Sequence, residues 1–202
     1  MSRMRDRSIT RLAGPWLLTL ALSLATAGRA DEGWGLPELM RELAAVPRAQ
    51  ASFVERRYLQ ILKQPLELTG TLSYVAPGRL IKHTLTPRPE RMTVEGDRLL
   101  IEDLAKGRSR TLSLQDYPLV WAFIESFRAT LQGDLGALER FYRPQLEGAR
   151  AGWKLSLEPR ERRMAAVVSA IRISGSADRI SQIEIEETRG DRSVLTVIEE
   201  SR

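Results

Sequence analysis

The chain has 202 residues, with 31 basic, 26 acidic and no cysteine, for a net charge of +5. Without cysteine, a disulfide framework, a thiol nucleophile and a cysteine-bound metal are all excluded, so a packed core must hold the protein together. The positive charge does not indicate nucleic acid, because both signs are mixed along the chain instead of gathering in a basic patch.

At the N-terminus, Arg3, Arg5, Arg7 and Arg11 precede a short apolar run, Trp16 to Ala27, which ends in the small residues Ala25-Thr26-Ala27. This pattern predicts a secretory signal peptide over residues 1–27, with cleavage after Ala30 as the second option. The run is shorter than the ~20 residues that span a bilayer. Removing it takes away four arginines and Asp6 and leaves 27 basic against 25 acidic residues, so most of the excess charge belongs to the leader. The remainder, 28–202, suffices for one domain. It has no cysteine to carry a lipid anchor and is expected to be a soluble periplasmic protein, free of the membrane that exported it. Only four of the basic residues are lysine and asparagine is absent, which fits a GC-rich bacterial genome.

Leu36, Leu39, Met40 and Leu43 recur at helical spacing and predict a short amphipathic helix over Gly35–Val46, with Pro37 in its first turn. From Gln50 onward the period changes to two. Strands are predicted over Ala51–Gln64, Leu66–Val75, Arg79–Leu85, Glu90–Asp103 (two strands meeting at Gly96-Asp97) and Arg108–Leu114. Short turns between them predict an antiparallel meander. A helix follows over Tyr117–Asp134, its stripe made of Val120, Phe123, Ile124, Phe127 and Leu131, with Gly133 at its end. A second helical stretch is predicted for Leu135–Arg140. Strands resume over Arg140–Gly148 and Ala151–Pro159. Arg160–Ala170 reads equally as helix or strand, and three alternating runs close the chain, with turns at Ala177-Asp178 and Gly190-Asp191. No linker divides the sequence.

Reactive groups are few. His83 is the only histidine, on a strand beside Lys82 and Thr84, with no thiol to activate and no second histidine to share a metal. No nucleophile elbow, zinc motif or phosphate loop occurs. Glu184 and Glu186 alternate with Ile183 and Ile185, a solvated face opposite a buried one, and no aromatic sugar platform accompanies them. The protein is therefore not expected to be an enzyme, and no metal or cofactor is expected.

A sheet of about ten strands that curls on itself can enclose an apolar lumen wide enough for a ligand. Its lining is expected from Leu68, Leu72, Tyr74, Leu85, Met92, Val94, Leu99, Ile101, Leu155, Leu157, Ile171, Ile173, Ile183 and Ile185. The alternative is that these residues pack a filled core against the helix.

The order of motifs resembles the LolA family of periplasmic lipoprotein carriers. A helix leads into an A-x-F strand (Ala51, Phe53), then a hairpin with Gly70, Leu72, Tyr74 and Pro77, then a strand pair with Gly96, Leu99 and Ile101. The likeness continues through the mid-chain helix, Trp153–Pro159 and the Gly190-Asp191 turn. The resemblance implies a mainly β, α+β fold: an incomplete antiparallel β-barrel of about eleven strands, closed by a helical lid over a cavity for acyl chains. It also implies a monomeric carrier that takes a lipoprotein from an inner-membrane exporter and hands it to an outer-membrane receptor. In that family a basic residue precedes the hairpin proline and ties the lid shut. Here Ala76 stands there, so Arg79 is expected as the latch, and the cargo is left open between lipoprotein and another lipid or glycolipid. The second reading is a non-carrier scaffold with a filled barrel. Helix 118–132 is expected to be the lid, against the alternative of a permanently packed helix that hides Trp121 under the N-terminal helix.

Overall fold

A computed structural model describes residues 33–199. The signal segment expected at 1–27, with its second cleavage option after Ala30, lies outside the described residues. Eleven strands form one antiparallel sheet in the order β6-β5-β4-β3-β2-β1-β11-β10-β9-β8-β7. They are β1 (Arg48–Tyr58), β2 (Leu66–Val75), β3 (Arg79–Thr86), β4 (Glu90–Glu95), β5 (Arg98–Asp103), β6 (Arg108–Ser113), β7 (Tyr142–Ala149), β8 (Gly152–Pro159), β9 (Val168–Ser176), β10 (Arg179–Glu187) and β11 (Arg192–Glu199). The helices are α1 (Leu36–Ala44), α2 (Pro118–Gln132), α3 (Leu135–Phe141) and α4 (Arg162–Ala165).

The order explains the architecture. The chain meanders outward from β1 to β6, then returns from β7 to β11, and β11 pairs with β1. The two edges, β6 and β7, do not pair, so the barrel stays open. The helical segment is the stretch that carries the chain from one edge to the other, and it brings α2 and α3 across the inner face. This is the open barrel with a helical lid that the resemblance implies.

Local chemistry sets the element ends. Glu38 Oε2 accepts from Gly35 N at 3.0 Å to cap α1, and Asp134 Oδ1 accepts from Ala137 N at 2.9 Å to cap α3. Among the boundaries that differ from the periodicity, two have a visible local cause or consequence. β1 stops at Tyr58 because Gln60 N donates to Asp191 Oδ1 at 2.9 Å, which turns residues 59–65 into a loop tied to the β10–β11 turn. Helix α3 runs on to Phe141, so β7 begins at Tyr142. The ambiguous stretch 160–170 resolves into the single turn of α4 followed by β9.

Paired glycines accommodate large rings on the sheet. Phe53 lies opposite Gly70, and a Cβ at Gly70 would meet the Phe53 ring and the His83 carbonyl. Trp153 lies opposite Gly175 in the same way, with its indole N–H donating to Ala177 O at 2.9 Å. The Ala-x-Phe and Gly-x-Leu motifs are thus one packing unit.

The interior divides in two. Over β7–β11, Leu39, Met40 and Leu43 of α1, Leu138 of α3 and Met164 of α4 pack with Trp153, Leu155, Leu157, Ile171 and Ile173. Over β4 and β5, Val94 and Leu99 pack with Leu114 and Ile124. Helix α2 joins them: Ala129 belongs to the first cluster, Ile124 to the second, and Trp121 borders both. Its end is held at Gly133, which is left-handed (φ 67°) and so close to α1 that a Cβ would collide with the Met40 carbonyl and the Ala44 methyl. Gly133→Ala is therefore expected to lower the denaturation midpoint by about 2–3 kcal/mol equivalent, combining φ strain with collision. Gly96→Ala, at a similar φ of 57° but with open space around it, is expected to cost only about 1 kcal/mol. Equal effects at the two sites would refute the close α1–α2 packing.

Candidate functional site

The cross-strand register sorts the inner face of β2–β6 into three rows. Tyr74, Leu80, Val94, Leu99 and Leu112 stand side by side and are apolar. Leu72, Lys82, Met92, Ile101 and Arg110 form the next row, and Gly70, Thr84, Glu90, Asp103 and Arg108 the third. Polarity therefore rises from one end of the trough to the other. Coverage falls in the same direction only towards β6: Tyr74, Val94 and Leu99 are buried, Met92 and Ile101 lean on the α2 cluster but are half-exposed, and Arg110 and Arg108 are exposed, whereas Gly70 and Thr84 at the β2–β3 end of the third row are buried.

At the margin of this trough a charged cluster stands on the apolar face. Glu55, whose side chain is only 5% exposed, accepts from Arg57 Nε and Ser193 Oγ, each at 2.7 Å, and pairs with Lys82. Lys82 reaches it across Phe53, with its ammonium 5.0 Å from the ring centre. Burial pushes the Glu55 carboxyl up, but the Arg57 hydrogen bond, the Lys82 charge and hydrogen bond, and the Ser193 hydroxyl outweigh it and hold the carboxyl down at about 2. Burial pulls the Lys82 ammonium below the usual lysine range, with Glu55 acting against the shift. The cluster was missed in the sequence, although Ala51, Phe53 and Glu55 share the parity that marks an inward carboxylate.

The expected lining residues separate into distinct environments. Leu155, Leu157, Ile171, Ile173 and Ile183 are buried in the helix-filled core. Val94 and Leu99 lie beneath α2, and Leu68 and Tyr74 are buried on β2. Leu72, Met92, Ile101 and Ile185 are half-buried. Leu85 is a correction: it is 48% exposed, out of step with the inward Leu80, Lys82 and Thr84, at a bulge where Thr69 pairs with Thr86 and Gly70 with Thr84. Among the expected lid residues, Ile124 is buried and Phe127 and Leu131 are half-buried, while the side chains of Val120 and Phe123 lie outside the described part of the structure.

The contact between helix and hairpin also differs from expectation. Arg79 is exposed. The cation between α2 and the turns is Arg128, which donates to Gly96 O at 3.2 Å in the β4–β5 turn and pairs with Glu125 at 2.6 Å. Its guanidinium and the Gln132 amide lie against Gly78, where a side chain would displace them. Trp121 is half-buried, edge-to-face with Phe141 of α3 at 4.8 Å, so the ring that covers it comes from α3. Among the described residues, no group of three or more His, Cys, Asp or Glu could hold a metal, and no helix is long and apolar enough to cross a membrane.

The described residues form an open antiparallel barrel whose inner apolar face is partly covered by helices. Residues 25–198 match the model of the family described as outer membrane lipoprotein carrier protein LolA-like, and the chain belongs to that family. A conserved uncharacterized protein from Thermus thermophilus shares the fold, with 13% identity, coverage of 82% of this chain and 85% of that one, and a TM-score of 0.50. A LolA superfamily protein from Nitrosomonas europaea matches with 12% identity, coverage of 81% and 93%, and a TM-score of 0.39. The Mycobacterium tuberculosis lipoprotein LppX matches with 11% identity, coverage of 83% and 97%, and a TM-score of 0.36. No curated protein sequence matches the chain.

The Glu55 cluster makes a pH-dependent prediction. A carboxyl whose folded pKa is depressed stabilises the fold above its unfolded pKa and loses that contribution as pH falls through the folded one. Glu55→Gln should therefore be less stable than wild type by about 2–3 kcal/mol above about pH 5, with the gap closing towards pH 2. Denaturant titrations across that range test it, and a gap independent of pH would contradict the ionised cluster.

Proposed function

We propose that the protein is a periplasmic carrier that binds the acyl chains of a lipoprotein or another amphiphilic lipid on its inner face. It moves them from an inner-membrane exporter towards an outer-membrane receptor, and works as a monomer without a cofactor. One observation supports this reading above the rest: the inner face of β2–β6 passes from a covered apolar row, through the half-exposed Leu72, Met92 and Ile101 beside Lys82 and Arg110, to a row that ends in the exposed Arg108. An amphiphile fits that gradient. Its tail lies against Leu72, Met92 and Ile101 beside α2, and its head group reaches Lys82, Arg110 and Arg108. Among the described residues, no group on this face is set up to cleave or transfer a bond, which favours binding over catalysis.

The LolA-like family membership supports a carrier, and the basic start with its apolar run supports export. The proposed lid is α2. Arg128 holds it to the β2–β3 and β4–β5 turns, the role expected at Arg79, and its release would uncover Val94 and Leu99 as well. A scaffold with a filled barrel has one observation in its favour, the solid packing of β7–β11 against α1, α3 and α4. The carrier reading therefore places the cargo in the β2–β6 half.

Binding of a naphthylamine fluorophore, competed by phospholipid, separates the two. Met92→Glu sets a carboxylate opposite Lys82 and Ile101→Glu one opposite Arg110, so each removes apolar surface from the tail path and engages a cation of the head-group end, and is expected to weaken binding at least about tenfold while the half-exposed position keeps the fold intact. Leu155→Ala is expected to lower stability by about 2–4 kcal/mol and leave affinity within about twofold once folded. A folded Met92→Glu protein that binds like wild type would overturn the site, and no binding by wild type would favour the filled barrel. Arg128→Leu is expected to speed amide exchange in α2 but not in β2; unchanged exchange would remove Arg128 as the latch.

A further inference from the structure

The two rims of the barrel differ in a way that cargo binding does not require. At one rim lie the connections β1–β2, β3–β4, β5–β6, β8–β9 and β10–β11, and at the other β2–β3, β4–β5, β7–β8 and β9–β10. The first five connections hold seven basic residues and two acidic ones; the other four hold one basic and two acidic. With the first flanking positions included, the counts are nine basic and five acidic against four basic and three acidic, so the first rim is the more cationic of the two.

The same rim gathers exposed apolar side chains. Of the ten large hydrophobic residues that are exposed among the described ones, six lie in these connections or at their first flanking position: Tyr58, Ile61, Leu62, Leu66, Leu104 and Val167. Ile61 is the extreme case at 89% exposure. Its loop is not a slack excursion. Gln60 ties the loop to Asp191 and to the Arg189 carbonyl, Leu62 N donates to Leu59 O at 2.8 Å, and Arg192 stacks on Tyr58 at 4.5 Å. The fold thus holds two aliphatic residues at the tip of a braced loop, with Lys63 beside them and Arg88, Lys106 and Arg189 on neighbouring turns.

We propose that this rim docks on an anionic phospholipid surface, with Ile61 and Leu62 inserted below the head groups and the surrounding cations on the phosphates. Aliphatic tips interleaved with Lys and Arg match a bilayer interface, where apolar residues enter the acyl boundary and cations gain from the surface potential. A protein interface would instead show a contiguous apolar centre depleted in lysine. The charged row of the inner trough, with Asp103 and Arg108, opens towards this same rim, so docking brings the end of the trough to the membrane. The proposal goes beyond the carrier reading and does not depend on it, since the rim is external to the inner face.

Sedimentation with vesicles tests it. Processed wild-type protein is expected to bind phosphatidylcholine vesicles containing about 30 mol % phosphatidylglycerol, to bind pure phosphatidylcholine weakly, and to release at about 0.5 M salt. Ile61→Ser with Leu62→Ser should lower the partition coefficient about tenfold, and Lys63→Glu with Arg88→Glu by a similar factor. Both sites are exposed, and circular dichroism checks the fold. Ile198→Ser, at the opposite rim and 49% exposed, should change nothing. Wild type that ignores anionic vesicles overturns the proposal, even if the same variants break a protein complex instead. So does a loop variant that binds as wild type, or an Ile198→Ser effect of equal size. Fluorophore binding in the same variants is expected to be unchanged, so failure of the docking surface and failure of the inner site remain distinguishable.

Discussion

One helix has to cover what the sheet cannot close. Eleven antiparallel strands expose an apolar inner face, and the unpaired edges β6 and β7 leave the barrel open. The segment that links those edges must cross the opening, and α2 is its longest element at 15 residues. Burial of apolar surface, at about 25 cal/mol per Å², therefore drives α2 onto the face. Its length allows it to join two clusters but not to seal both. Short helices α1, α3 and α4 complete the packing over β7–β11, while the cluster over β4 and β5 is covered by α2 and the turn at Leu114. The half-covered rows follow from that shortage.

Polarity on the inner face carries a second consequence. A carboxylate and an ammonium placed in an apolar interior lose hydration that their attraction only partly returns, so Glu55 and Lys82 are weak contributors to stability against an apolar pair of the same volume. What they do is place charge at one margin of the trough. Arg57 and Ser193 complete the coordination of Glu55, which leaves the cluster with two cations to one carboxylate. The apolar end, by contrast, is bounded by Tyr74 and Leu80, near the turn at Gly96 whose carbonyl accepts from Arg128.

Much of this was legible in the sequence because period-two alternation is a direct projection of the pleat. Strand count and the antiparallel meander followed from it, and the helix bounded by Pro118 and Gly133 from the switch to a period of about 3.6 residues. Parity failed at Leu85, because β3 turns Lys82 and Thr84 inward and leaves apolar Ile81 and Leu85 on the other side. In that strand the apolar residues do not mark the inner face. Alternation also cannot distinguish a residue that lines a trough from one sealed by a helix: Leu157 and Met92 have the same pattern, and only the positions of α1, α3 and α4 separate them. The Arg128 contact rests on the distance between α2 and the turns at Gly78 and Gly96, which no local pattern encodes. Glu55 was readable from its parity with Phe53, but a charged residue in a strand rich in arginine looks like surface.

The central claim is that acyl chains lie against β2–β6 and not against β7–β11. Methyl NMR during titration with a short-chain phospholipid addresses it directly, because probes stand on both halves. Shifts are expected for Leu72, Met92 and Ile101, with little change at Leu155, Leu157 and Ile173. Shifts concentrated in the second group, or none in either, would contradict it.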